Sequence, residues 1–112
     1  MHVKQDHVFK AVDGMDLNTI APIMCAGMTT FTPMNKYVKK GDKIAILGMG
    51  GLGHFALQWG KLMGCDVSIF TSSHNKDEKI KELDADHIVI WTEREHKDKK
   101  DTYNIIINTL PI

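Results

Sequence analysis

Hydrophobic positions recur with two different periods along this chain, and the changes of period mark its elements. From Lys43 onward, four short runs are rich in Ile and Val and nearly continuous in apolar character: Lys43–Leu47, then residues 67–71, 87–91 and 104–107. Short apolar runs without polar alternation predict strands buried on both faces of a sheet. Between the first two, Leu52, Phe55, Ala56, Trp59 and Met63 fall at i, i+3, i+4, i+7 and i+11. That spacing predicts an amphipathic helix reaching Gly64, with one stripe packed on the sheet. Asn75, with Glu78 three residues on, resembles a capping box and predicts a second helix ending near Leu83. Strands alternating with helices imply right-handed parallel crossovers, hence an α/β fold.

Upstream the pattern is weaker. Residues 1–15 are mixed, with a brief strand-like alternation over 8–12. From Asp16 to Met34 the period turns helical, with Ile20, Ile23 and Met24 on one side and Asp16 as the N-cap. Pro22 and Gly27 predict two short helical pieces in place of one long helix. Lys39-Lys-Gly-Asp42 reads as a turn, and the almost wholly charged residues 92–101 as a solvated turn or short helix. There are no internal repeats or low-complexity tracts.

The first strand runs directly into Gly48-Met-Gly-Gly-Leu-Gly53, which fits G-x-G-x-x-G, and a helix follows at once. Strand, glycine turn and helix in that order bring a dinucleotide pyrophosphate to a helix N-terminus. Gly48 permits the tight turn, Gly50 lets the backbone approach phosphate, and Gly53 lets the helix sit close to the sheet. Gly51 adds freedom, and the N–H groups around Leu52 point at the anion. A plain glycine turn before a core helix is the bland alternative. With the motif included, the expected fold is a partial, truncated Rossmann-type doubly wound parallel sheet of about four strands, in the order 3-2-1-4.

Cofactor choice is read at the end of the second strand. An NAD-type site places Asp or Glu there for the ribose 2′-hydroxyl, whereas this chain has Phe70-Thr-Ser-Ser-His-Asn-Lys76, with Asp66 at the wrong end of its strand. The hydroxyls of Thr71, Ser72 and Ser73 and the ammonium of Lys76 suit the 2′-phosphate of NADP(H). A charge-assisted hydrogen bond worth roughly 1.5–3 kcal/mol lets Lys76 alone shift preference by about ten-fold or more. The competing account is a Ser/Asn-rich helix cap with a surface lysine.

Composition narrows the partners. Hydrophobic residues make up 43% and charged residues 25%, as in an ordinary globular domain. The 14 basic and 14 acidic side chains cancel, which argues against nucleic acid and anionic membranes as partners. No apolar run approaches the roughly 20 residues needed to span a bilayer, and residues 1–7 lack a signal-peptide core. Cys25 and Cys65 form no C-x-x-C pair, so a reducing, cytoplasmic setting is expected.

The chain resembles the zinc-dependent medium-chain alcohol dehydrogenases, specifically their NADP-dependent cinnamyl-alcohol-dehydrogenase-like branch. The resemblance rests on Ala21-Pro-Ile-Met-Cys-Ala-Gly-Met-Thr29, Gly41-Asp-Lys43, Leu47-Gly-Met-Gly-Gly-Leu-Gly-His54, Thr71-Ser-Ser73 through Lys76, Ala85-Asp-His87 and Asn108-Thr-Leu-Pro111. It covers nearly the whole chain but about a third of a family member. It implies that residues 1–15 are a remnant of the catalytic domain and 16–112 part of the dinucleotide-binding domain. It further implies that Cys25 is a zinc ligand, that Thr29 lies against the nicotinamide and that Thr109 sits near the cofactor ribose. Taken alone, Cys25 would read as a buried structural thiol. Cys65 reads as a small core residue, and Asp84 stands where the family pattern has Gly at a helix C-terminus.

The family's other zinc ligands come from an upstream domain, so weak zinc binding is expected of these residues alone. The implied chemistry is hydride transfer between NADPH and a small aldehyde or alcohol, in a family of homodimers. A catalytically inactive nucleotide-binding remnant is the main alternative. A zinc-free quinone reductase is disfavoured by Cys25 and His54. A methyltransferase is disfavoured by the missing acid after the second strand.

Overall fold

The computed structural model describes residues 1–72, 75, 77–91 and 102–111; the charged segment 92–101 and the predicted site residues Ser73 and Lys76 lie outside this set. Four parallel strands, β1 (Lys43–Leu47), β2 (Asp66–Thr71), β3 (His87–Ile90) and β4 (Ile105–Asn108), form one sheet in the order β3-β2-β1-β4. This is the predicted order. The central strands carry the core: Ile44 and Ile46 of β1 and Val67 and Ile69 of β2 are fully buried. At the edge, β4 alternates between half-buried and exposed, and Ile106 is 63% exposed. Asn104 precedes β4, where its N–H donates to the Lys43 carbonyl at 2.9 Å and its Oδ1 accepts the Lys43 N–H at 2.8 Å. That pair of bonds fixes the register of β4 against β1.

The helix between β1 and β2, α3 (Gly51–Leu62), corrects the predicted stripe. Its buried positions are Gly53, Ala56, Leu57 and Gly60, while Leu52, Phe55, Trp59 and Met63 are only half-buried. Small residues face the sheet because the helix lies too close for large ones. A Cβ at Gly60 would stand 2.8 Å from Val67 Cγ2. The larger side chains turn sideways, where Trp59 meets Phe31 edge-on at 5.3 Å and stacks with Phe55 at 6.5 Å.

Upstream, α1 (Leu17–Pro22), a single π turn (Ile23–Gly27) and α2 (Met28–Tyr37) follow one another without a break. The prediction of two separate pieces is therefore wrong. Pro22 sits before the π turn, in which the Met28 N–H reaches the Ile23 carbonyl and absorbs the misfit. Gly27 keeps helical backbone angles, and its lack of a side chain serves packing: a Cβ there would stand 3.2 Å from Ile23 Cγ2 and 3.7 Å from Phe55 Cε1. Its carbonyl accepts the Trp59 Nε1–H at 3.1 Å, tying the rod to α3. Asp16 caps α1 as predicted, accepting the Asn18 N–H at 3.1 Å. Residues 8–12 form no strand. Residues 1–15 are exposed throughout and hold only a short 3-10 turn at Gln5–His7. Alternation without a neighbouring strand to pair it does not make a strand.

Two helices stop in the same way. After α3, Cys65 N–H bonds the Gly60 carbonyl and Gly64 N–H the Lys61 carbonyl, with Gly64 at φ +77°. After α4 (Asp77–Glu82), Ala85 N–H bonds the Ile80 carbonyl and Asp84 N–H the Lys81 carbonyl, with Asp84 at φ +61°. Both are Schellman closures, which require a left-handed residue. Asp84 accepts that geometry where glycine is the usual choice.

Candidate functional site at the carboxyl ends of the strands

The turn leaving β1 is built so tightly that two of its glycines admit no methyl group. Gly48 has φ +92°, and a Cβ on it would lie 2.7 Å from Leu110 Cδ2 and 3.1 Å from Thr109 Oγ1. A Cβ on Gly53 would overlap the carbonyl oxygen of Gly48. The Thr109 hydroxyl donates to the Leu47 carbonyl at 2.8 Å and lies 3.3 Å from the Gly48 carbonyl, while the Thr109 N–H also reaches Leu47 at 3.0 Å. On the other side the Gly48 N–H donates to the Phe70 carbonyl at 2.9 Å. The ends of β1, β2 and β4 are thereby locked around the turn.

Gly50 and Gly51 differ: Cβ atoms on either would meet nothing within 4 Å. Gly50 is the N-cap of α3, without a side chain to cap the helix, and no acidic residue stands in the first turn. The opening N–H groups, of Gly51, Leu52 and Gly53, have no acceptor within the helix. They lie at the positive end of its dipole, where an anion is favoured.

Two cavities flank the turn. The smaller, about 250 Å³, is lined by Gly48, Gly50, Thr71, Ser72, Trp91 and Thr109 among others, so that all four strands contribute at their carboxyl ends. This is the crevice at which open α/β sheets receive ligands. The larger, about 550 Å³, is lined by Met49, Gly50, Gly51, His54, Asn75 and Lys79.

The structure therefore gathers Gly48, Gly50, Gly51, Thr71, Ser72 and Thr109 around one place, with Leu52 and Gly53 in the adjoining first helical turn. Cys25, in the π turn, and Thr29, in α2, are both exposed and line neither cavity. Exposure of Cys25 corrects its stand-alone reading as a buried thiol. Among the described residues no group of three His, Cys, Asp or Glu is placed to hold a metal ion. A zinc centre needs three or four ligands, and the described residues alone do not supply them.

Sequence reasoning missed Trp91, Asn75 and Lys79. Trp91 follows the last residue of β3, and the rule that ligands collect at strand carboxyl ends was the available signal. His54 faces the larger cavity, with Nδ1 at 3.1 Å from Gln58 Nε2.

The titratable groups with displaced pKa serve the opposite, amino ends of the strands. Burial disfavours the charge on Asp86, but the Val67 N–H at 2.8 Å and the Lys61 ammonium at 2.9 Å outweigh it and hold the carboxyl below its ordinary range. The hydrogen bond to Asp86 likewise raises Lys61, against partial desolvation. Burial pushes the Cys65 thiol up, and its Sγ contacts the Lys39 carbonyl at 3.4 Å, as fits a core residue.

A parallel sheet with an uncapped glycine turn at the carboxyl end of its first strand defines a dinucleotide-fold segment. Over 89 residues the chain is 43% identical to an aldehyde reductase, AdhA, of Synechocystis, covering 79% of this chain and 26% of that protein. A cinnamyl alcohol dehydrogenase structure from Sorghum bicolor superposes with a TM-score of 0.88 at 34% identity, over 96% of this chain and 32% of that one. A CAD from Helicobacter pylori complexed with NADP(H) superposes with a TM-score of 0.80 at 33% identity, over 90% and 28%. No protein-family model matches. By sequence and by fold the chain belongs with the zinc-type medium-chain alcohol dehydrogenases, spanning about a third or less of the relatives it matches.

Proposed function

We propose that the chain binds NADP(H) at the glycine turn, as the cofactor-binding portion of a zinc-type alcohol dehydrogenase that moves a hydride between NADPH and a small aldehyde or alcohol. The observation that carries this is the N-terminus of α3, uncapped and free of acid, beside glycines that face open space. On this proposal Gly48, Gly50, Gly51, Leu52 and Gly53 cradle the pyrophosphate, and Thr109 adjoins the ribose. Thr71, Ser72, Ser73 and Lys76 receive the 2′-phosphate. The H. pylori relative in complex with NADP(H) supports the cofactor class. Residues 1–15 then belong to the catalytic domain and 16–112 to the cofactor domain. Cys25 is the family's zinc ligand position, Thr29 the nicotinamide neighbour, and the assembly a cytoplasmic homodimer.

A second reading is a nucleotide-binding unit without turnover, in keeping with described residues among which no three His, Cys, Asp or Glu are grouped to hold a metal ion. Titration with NADPH and NADH, followed by an aldehyde assay with added zinc, separates the two. NADPH binding without turnover favours the second; zinc-dependent turnover sinks it. Equal affinity for both cofactors, unchanged by Lys76→Ala, would defeat the NADP assignment.

A further inference from the structure

We infer that Lys79 is a specificity-determining residue for the 2′-phosphate of NADP(H), acting across the larger cavity beside the glycine turn. This rests on the proposed cofactor site and adds to it a residue that the motif does not supply. The cavity has a definite chemical character. It is lined by Met49, Gly50, Gly51, His54, Asn75 and Lys79, with no Asp or Glu among the described residues that line it. Among the described residues the Lys79 ammonium has no hydrogen-bond or ion-pair partner, although Glu78 and Glu82 share its helix. A lysine lining a cavity, with no counter-ion for its ammonium among the described residues, suits an anionic ligand.

Placement selects which anion. The opening N–H groups of α3, beside Gly50 and Gly51, suit the pyrophosphate. Asn75 and Lys79, which line the same cavity, belong to the link after β2 and to α4. The adenosine ribose of a dinucleotide is read just beyond the end of β2, so a lysine contributed from that side suits a phosphate monoester on that ribose. Helix α4 is held by Ile80, fully buried in the core one residue after Lys79. The lysine thus projects from a fixed base.

The test uses the full chain and compares wild type, Lys79→Gln and Lys79→Arg for binding of NADPH, NADH and 2′,5′-ADP, with circular dichroism confirming the fold. Lys79→Gln should weaken NADPH and 2′,5′-ADP by about ten-fold while changing NADH by less than about two-fold, and Lys79→Arg should retain most NADPH affinity. Equal weakening of NADPH and NADH would assign Lys79 to the pyrophosphate and overturn the inference. Unchanged NADPH affinity would overturn it as well. Failure of the underlying cofactor site reads differently: the wild-type chain would bind neither dinucleotide.

Discussion

Gly48 and Gly53 are closed in by Leu110, Thr109 and each other, while Gly50 and Gly51, lying between them in sequence, face open space. One motif thus combines two unrelated demands. The outer pair exists so that strand, turn and helix can approach, which is a requirement of folding. The inner pair leaves open space beside the helix N-terminus, which the proposed cofactor site would require for binding. A spacing pattern reports both demands together, and only the geometry separates them.

The comparison breaks most forcefully at Gly53. Gly53→Ala places a methyl group on the Gly48 carbonyl and should cost about 3 kcal/mol or more, measured as loss of denaturant stability. Gly50→Val should do the reverse, leaving stability within about 1 kcal/mol while weakening NADPH by on the order of 100-fold, because its side chain fills the approach to the helix N-terminus. If both variants lose stability and binding in proportion, the division between the two pairs is wrong. Thr109→Val removes the hydroxyl that grips the turn and should cost about 1 kcal/mol.

A smaller effect, from the amino ends of the strands, supplies the control. The Asp86 carboxyl is held below its ordinary range, so its stabilising contribution is present above about pH 4 and is lost as pH falls through the lowered value. Lys61 is raised, so its contribution is present below about pH 10 and is lost as pH rises through the higher folded value. Asp86→Asn should flatten the acid limb of a melting-temperature profile at a cost of about 1 kcal/mol, with NADPH affinity unchanged.

Much of the fold could be read from the residues alone. Ile44, Ile46, Val67 and Ile69 announce central strands because nothing polar interrupts them, and the observed sheet order follows. The helix stripe was right at Ala56, and Trp59 and Met63 do pack against the core, but hydrophobic pattern weighs large residues and so missed the close approach to the sheet at Gly53 and Gly60. Pro22 and Gly27 misled for a related reason: a π turn and a tertiary contact with Phe55 explain them better than helix breaking. At the candidate site the glycines were legible from spacing. Trp91, Asn75 and Lys79 were not: a strand's carboxyl end marks Trp91 only in general, a capping pattern marks Asn75 for a different role, and nothing local marks Lys79, which the crossover brings to its cavity.

The Thr109 hydroxyl has a thermodynamic corollary. It joins the end of β4, an edge strand with an outward-facing isoleucine, to the Leu47 and Gly48 carbonyls, in the two peptide units that flank the Gly48 Cα. Local opening of the edge strand therefore competes with any ligand that requires an ordered turn, and the two equilibria are linked. A cofactor seated on the turn would slow deuterium exchange at the amides of residues 105–108, which line neither cavity. Protection of that strand would then serve as a gauge of occupancy.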